Sequence, residues 1–159
     1  TAEGMSIRFH EDGVRTMGRA AAGVRGIRLG KDDHVVALSI VSKDATLLVA
    51  GENGIGKRTD FDDYRVQSRG GKGIKTMKIT KKTGKVVGGL TVHEGDEIML
   101  ITVGGQMVRT SVDGVRQTGR NAQGVRLVNV DDKDRLQDIA PVVSTEKEEE
   151  TAGEEEVEE

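Results

Sequence analysis

YRVQSRGGKGIKTMKI, residues 64–79, has two altered copies in the same chain. They are VRTMGRAAAGVRGIRL (14–29) and VRQTGRNAQGVRLVNV (115–130), aligned without gaps at offsets of 50 and 51 residues. A period of this size governs the fold before any local propensity does. Four columns stay basic throughout: Arg15, Arg65 and Arg116; Arg19, Arg69 and Arg120; Arg25, Lys75 and Arg126; and, upstream, Arg8, Arg58 and Arg109. One column is always glycine, at Gly23, Gly73 and Gly124, and a β-branched aliphatic follows each, at Val24, Ile74 and Val125.

Working outward, each unit reads as strands. IKTMKI (74–79) and VRLVNV (125–130) alternate apolar and polar residues, the pattern of a strand with one buried and one wet face. EIMLITV (97–103) is almost continuously apolar and suits a strand buried on both faces. TLLVAGENG (46–54) leads into Asn53-Gly54, a strong hairpin signal, with Gly104-Gly105 and Glu3-Gly4 in the matching places. KKTG (81–84) and GKDD (30–33) read as connecting turns. No segment sustains a 3.6-residue apolar period. The expected fold is therefore all-β and propeller-like: about three repeats of ~50 residues with about four antiparallel strands each. The repeats run approximately over 1–46, 47–96 and 97–143, and three of them cannot close a ring, so a partial disc is expected. The opening TAEGMSIRF has no initiator methionine and is expected to continue from an upstream segment.

The bulk numbers agree. Aromatics are 2% and hydrophobics 35% of 159 residues, lean for one large core, while 22 glycines against one proline favour many tight turns. Without cysteine there is no disulfide framework and no thiolate metal site, a usage that fits a reducing compartment. No apolar run reaches the ~18 residues that would span a membrane, and no signal peptide opens the chain. The net charge of −3 conceals two opposite parts. Residues 144–159, STEKEEETAGEEEVEE, hold nine Glu and one Lys; without them 23 basic and 18 acidic residues remain, a net charge of +5. Such a tail is expected to be disordered, serving either as a solubiliser or as a competitor for the basic body's anionic ligand.

Catalytic chemistry finds no support. GENGIGKRT (51–59) begins like a phosphate-binding P-loop, but the position after Gly56-Lys57 is Arg58 instead of Ser or Thr, and no helix follows. A hairpin turn explains it. His10, His34 and His93 share no column, and the pairs Asp32-Asp33, Asp62-Asp63 and Asp131-Asp132 lie in turn-like settings. Tyr64 shares its column with Val14 and Val115, which places it in packing.

QSRGGKG (67–73) points to a phosphate. Gly70, Gly71 and Gly73 allow positive φ and close approach, and successive N–H groups in such a loop form an anion nest. Arg69 offers a planar fork for two oxygens and Lys72 a point charge. Equivalent blades would set these groups along one rim. Few aromatics are available to stack on bases, and no helix is available for the major groove. The ligand class that remains is duplex DNA, held by its backbone without regard to sequence. Bending 20–30 bp by 40–90° costs about 1–6 kcal/mol, which repeated phosphate contacts would offset. A protein-interaction scaffold built on the same propeller is the reading from another class.

The heptad resembles the box Q-(R/K)-R-G-G-K-G of the C-terminal domain of the bacterial DNA gyrase A protein. It matches at Gln67, Arg69, Gly70, Gly71, Lys72 and Gly73 and departs at Ser68. The MGRAAAGVRGIRLGKDD, NGIGKRT and TGRNAQGV stretches are similar to successive blades of that domain, so the resemblance covers about residues 1–143. It implies a β-pinwheel whose six blades exchange strands, with this chain resembling the last three and the tail resembling the acidic ends of some of its members. It also implies a DNA-wrapping role in a bacterial cytoplasmic enzyme that adds negative supercoils. The partners so implied are double-stranded DNA, the gyrase B protein and a second gyrase A protein, and ATP and Mg²⁺ would be bound elsewhere in the holoenzyme. This piece would catalyse nothing. The counterpart in topoisomerase IV carries a related pinwheel with more eroded boxes.

Overall fold

The computed structural model describes residues 1–143; the expectation of a disordered acidic tail at 144–159 lies outside them. Nine strands run in chain order: β1 (Met5–Ser6), β2 (Thr46–Gly51), β3 (Ile55–Asp60), β4 (Ile74–Lys75), β5 (Val86–Val92), β6 (Glu97–Thr102), β7 (Met107–Ser111), β8 (Val125–Arg126) and β9 (Leu136–Val142). Every pairing between them is antiparallel. Among the described residues there is no α-helix.

The sheets do not follow the sequence repeats. The second repeat supplies β5, β2 and β3 in that spatial order, and the fourth strand of the sheet is β8, contributed by the third repeat. In the same way β4 leaves the second repeat to pair with β1 of the first. The second and third repeats thus each lend a short strand to the one before, in one register: Met5 faces Lys75, and Ile55 faces Arg126. This strand exchange makes the partial disc a pinwheel.

Local chemistry sets up each exchange. Asn53-Gly54 closes the β2–β3 hairpin, with the Gly54 N–H donating to the Gly51 carbonyl at 3.0 Å. After each outer strand comes one 3-10 turn, at Glu11–Gly13, Phe61–Asp63 and Val112–Gly114. His10, Asp60 and Ser111 cap these turns by accepting the N–H two residues on, which satisfies a donor the short turn leaves open. The turn redirects the chain toward the neighbouring repeat.

Two strand expectations need correction. The alternation in IKTMKI and VRLVNV predicts strands through 79 and 130, but the ladders stop at Lys75 and Arg126. There the N–H groups of Thr76 and Leu127 turn to the carbonyls of Gly4 and Gly54, both at 2.8 Å, and draw the chain off the strand edge. EIMLITV is also less buried than its composition predicts: Ile98, Leu100 and Thr102 are buried in β6, but Met99 and Ile101 only half so. The strand buried on both faces is β2. Leu48 and Ala50 pack with Ile98, Leu100 and Leu136 of the third repeat, and Val49 packs on the other side with Ile55, Met77 and Val86. A sheet with a neighbour on each side buries both faces; β6 has a neighbouring sheet on one side alone. Each fully buried Leu in that seam contributes about 1.5–3 kcal/mol.

The first repeat is the least regular. Residues 35–42, which correspond to β5 and β9, form no strand, because the partner that β2 and β6 provide for those two has no counterpart in this chain.

Candidate nucleic-acid interface

Two seams join the three repeats, and they use the same contacts. The Gln67 N–H donates to the Arg8 carbonyl and the Thr118 N–H to the Arg58 carbonyl, both at 2.8 Å. Glycine is required at the crossing itself: Gly73 (φ +74°) and Gly124 (φ +95°) lie so close to the preceding repeat that an added Cβ would overlap the carbonyl oxygens of Ser6 and Gly56. The column's backbone freedom therefore serves the neighbouring strand.

Arginines staple both seams. Arg8 donates from Nη1 to the carbonyl of Phe61 at 2.8 Å and to that of Tyr64 at 3.3 Å. Arg58 donates from Nε to the carbonyl of Val115 at 2.7 Å, and its Nη1 holds Glu94 at 2.8 Å. The reverse direction is served by the box arginines. Arg120 donates from Nη1 to the Lys75 carbonyl at 2.8 Å, and Arg69 to the Arg25 carbonyl at 3.1 Å and, from Nε, to the Gly13 carbonyl at 2.6 Å. Part of the fork expected to face a phosphate is thus engaged by the chain's own carbonyls. The same holds for the loop's N–H groups at Gly70, which donates to Gly26 at 2.6 Å, while Gly71 accepts from Arg28 at 2.7 Å.

The other columns stay open. Arg15, Arg65 and Arg116 are exposed, as are Arg25, Lys75 and Arg126, together with Arg19 and Lys72. Arg69, Arg120 and Gln67 are half-buried, with Gly70, Gly71 and Gly73. The structure brings Arg69 beside Arg25 at one seam and Arg120 beside Lys75 at the next, so a basic pair from consecutive repeats recurs with the fold's own period. Within β1–β4 and β3–β8 the residues Lys75 and Arg126 occupy the same register position. These exposed cations recur once per repeat, a pattern suited to backbone contacts with a polyanion.

Lys57 is the residue whose role the sequence disguises. It is fully buried in β3, and its Nζ donates to the carbonyls of Gly119 (3.0 Å) and Arg120 in the third repeat's loop. Burial lowers its pKa to about 8, the neighbouring Arg120 adds to the drop, and Asp63 opposes it. Its column mates are Ile7 and Val108, so the signal was a lysine at an apolar position. The resemblance of GENGIGKRT to a P-loop ends here: the lysine serves a seam. Tyr64 is buried, as its column predicts, with its hydroxyl against Thr76 Oγ1, and burial raises its pKa. Among the described residues no three His, Asp or Glu side chains converge in a group able to hold a metal ion. Two shallow clefts, both lined in part by Asn53, Asp132 and Asp134, mix carboxylates with cations, and Arg126 of a basic column lines one of them.

Strand-exchanged blades carrying a repeated basic column define the class: a β-pinwheel of the propeller type. Residues 1–42, 45–93 and 96–142 each match the family described as DNA gyrase C-terminal domain, beta-propeller, and the chain belongs to that family. It is 44% identical over 142 residues to the DNA gyrase A protein of Mycobacterium leprae (strain TN), an alignment covering 88% of this chain and 11% of that protein. The solved C-terminal domain of DNA gyrase A superposes with a TM-score of 0.83 at 31% identity, over 89% of this chain and 48% of that one. The C-terminal domain of DNA topoisomerase IV shares the fold, with a TM-score of 0.86 at 23% identity over 99% of this chain and 50% of that one. This chain therefore spans about half of the related solved domains and a small part of the full-length gyrase A relative.

Proposed function

We propose that this chain binds duplex DNA by its backbone, without sequence preference, and bends it along the edge that carries the exposed basic columns. The parent in this reading is the A protein of DNA gyrase, the ATP-dependent type II topoisomerase that introduces negative supercoils. There the segment would act with the gyrase B protein and a second gyrase A protein in the bacterial cytoplasm, while ATP, Mg²⁺ and strand breakage belong to other parts of the holoenzyme.

One observation carries the proposal: two basic columns, Arg15/Arg65/Arg116 and Arg25/Lys75/Arg126, stay exposed in all three repeats, while Arg8, Arg58, Arg69 and Arg120 are engaged at the seams. A framework needs the seam arginines for its own cohesion. It has no structural use for six further exposed cations in register, which a protein-interaction scaffold would not require either. The net charge of +5 outside the acidic tail supports the same reading. Between the two topoisomerase relatives, the near-complete QSRGGKG box and the higher identity favour gyrase.

The test is duplex binding by fluorescence anisotropy at two salt concentrations and on two unrelated sequences. Backbone binding predicts equal affinity for both sequences and a log K that falls by about 0.9 per phosphate contacted as log salt rises. No binding at low salt, or binding indifferent to salt, would favour the scaffold.

A further inference from the structure

We propose that the turn Gly119–Ala122, in the third repeat's loop TGRNAQG (118–124), is a phosphate site whose donors are the backbone N–H groups of Arg120 and Asn121, charged from beneath by the ammonium of Lys57. The phosphate belongs to a duplex backbone, so the site stands on the reading of this chain as a DNA binder.

The two seams hold their loops differently. In QSRGGKG the Gly70 N–H is taken by the Gly26 carbonyl at 2.6 Å and the Gly71 carbonyl by the Arg28 N–H at 2.7 Å, so that loop lies against the first repeat. Asn121 and Ala122 hold the corresponding places in TGRNAQG and make no such bonds. Gly70 sits at φ +82°, whereas Asn121 stays out of the left-handed region. The Ala122 N–H instead folds back to the Gly119 carbonyl at 3.1 Å and closes a tight turn. Among the described residues the N–H groups of Arg120 and Asn121 find no acceptor.

Lys57 fixes where those two donors point. In a planar trans peptide the C=O and the N–H face opposite ways, and the described chain has no cis peptide. The carbonyls of Gly119 and Arg120 both accept from the Lys57 Nζ. The N–H groups that follow them, those of Arg120 and Asn121, therefore point away from the buried ammonium. Gly119 and Asn121 are exposed, so this is the open side of the loop. A cation behind two peptide groups polarises both and strengthens their N–H ends toward an anion. Burying an ammonium is costly, and a seam does not require one: at the first seam the apolar Ile7 fills the place, its Cδ1 3.6 Å from where a Cβ on Gly71 would lie. Lys57 touches no phosphate itself and is a positioning residue.

The site has a proton linkage. The charged groups around Lys57 are Arg120 of the loop and Asp63, whose carboxylate lies 3.7 Å from where a Cβ on Gly119 would be. The buried Tyr64, with its raised pKa, is the other titratable group of this pocket. An anion on the turn favours the ammonium form of Lys57, so the complex holds its proton more tightly than the free chain, where the pKa is about 8. Affinity is then full below about pH 8 and falls as pH rises through the bound chain's higher value.

The experiment is duplex anisotropy at low salt on the full 159-residue chain, with a melting curve for each variant. Arg120→Ala and Arg120→Pro lose the same side chain, but proline alone also loses the N–H. Arg120 is the second residue of the tight turn and has no positive φ, a place that proline accepts. Arg120→Pro should bind about tenfold more weakly than Arg120→Ala, the loss of one bond to a charged acceptor. The intact chain should bind about tenfold more weakly at about pH 9.5 than at about pH 7.5, and Lys57→Met should flatten that profile. Equal binding by folded Arg120→Pro and Arg120→Ala, or a Lys57→Met profile that matches the intact chain's, would overturn the site and leave DNA binding in place. An intact chain that binds no duplex would overturn both. If Arg120→Pro does not fold, the comparison of Lys57→Met with the intact chain decides.

Discussion

The Nε of Arg58 lies 2.7 Å from the carbonyl oxygen of Val115, and the Nη1 of Arg8 lies 3.3 Å from that of Tyr64. Residues 50 positions apart hold carbonyls 51 positions apart. The arginine staple is thus part of the repeat, and it sets how each blade meets the next. By tying each blade to the next, the staple helps position the exposed cations proposed to meet DNA.

Arg58→Ala should destabilise the fold by about 2–3 kcal/mol, because it strips a buried carbonyl of its charged donor and leaves Glu94 alone. Arg109→Ala, at the exposed equivalent, should cost the isolated fold under about 1 kcal/mol. Urea denaturation of the two variants side by side gives the comparison; equal losses would show that the staple contributes nothing to the seam.

Lys57 gives stability a pH dependence of definite sign. Its folded pKa of about 8 lies below its ordinary 10.5, so between these values the unfolded chain binds more protons. Stability should therefore rise as pH rises above about 8, by at most about 1.4 kcal/mol per pH unit. The rise should flatten above pH 10, where Tyr64, with its raised pKa, begins to oppose ionisation in the folded state. Lys57→Met should remove the slope between pH 8 and 10, and a slope that survives would assign it to other groups.

Lys72→Ala and Arg69→Ala should part company. Lys72 is exposed, so its loss should weaken duplex binding on every sequence alike and leave the melting temperature in place. Arg69 also bridges to Gly13 and Arg25, so its loss should lower stability by about 1 kcal/mol in addition. Anisotropy and thermal melts on both variants separate the two roles. Identical profiles would mean that the bonds of Arg69 to the first repeat carry no energy.

Much of this was legible in the sequence, and the misreadings have physical causes. The 50-residue period, the hairpin at Asn53-Gly54 and the all-β class follow from residue chemistry alone. The glycine column was legible too, but its reason was not. Gly73 and Gly124 answer to a neighbouring strand, and nothing local to the loop tells a strand from a phosphate. The columns of Arg8 and Arg69 look like one basic rim until strand exchange shows which guanidiniums turn inward. IKTMKI alternates through six residues, yet the pull of the Gly4 carbonyl on Thr76 ends the strand after two. Lys57 was hidden because an amine in an apolar column is informative only once the carbonyls of Gly119 and Arg120 are placed against it.

Removing residues 144–159 takes away a charge of −8 and should tighten duplex binding at low salt, with the difference shrinking as salt rises. Titration of the full and shortened chains against one duplex measures it; equal affinities at low salt would leave the tail no electrostatic part in binding.

The most direct measurement is the salt slope of duplex binding for the intact chain beside a variant in which Arg65, Lys75, Arg116 and Arg126 are all changed to Gln. Each of the four side chains is exposed, so the variant should melt with the parent. If these columns hold the DNA backbone, the slope of log K against log salt should become shallower by up to about 3.6, some 0.9 for each phosphate no longer neutralised. A folded variant that binds with the parent's slope and affinity would contradict the assignment and place the DNA, if bound at all, on another surface.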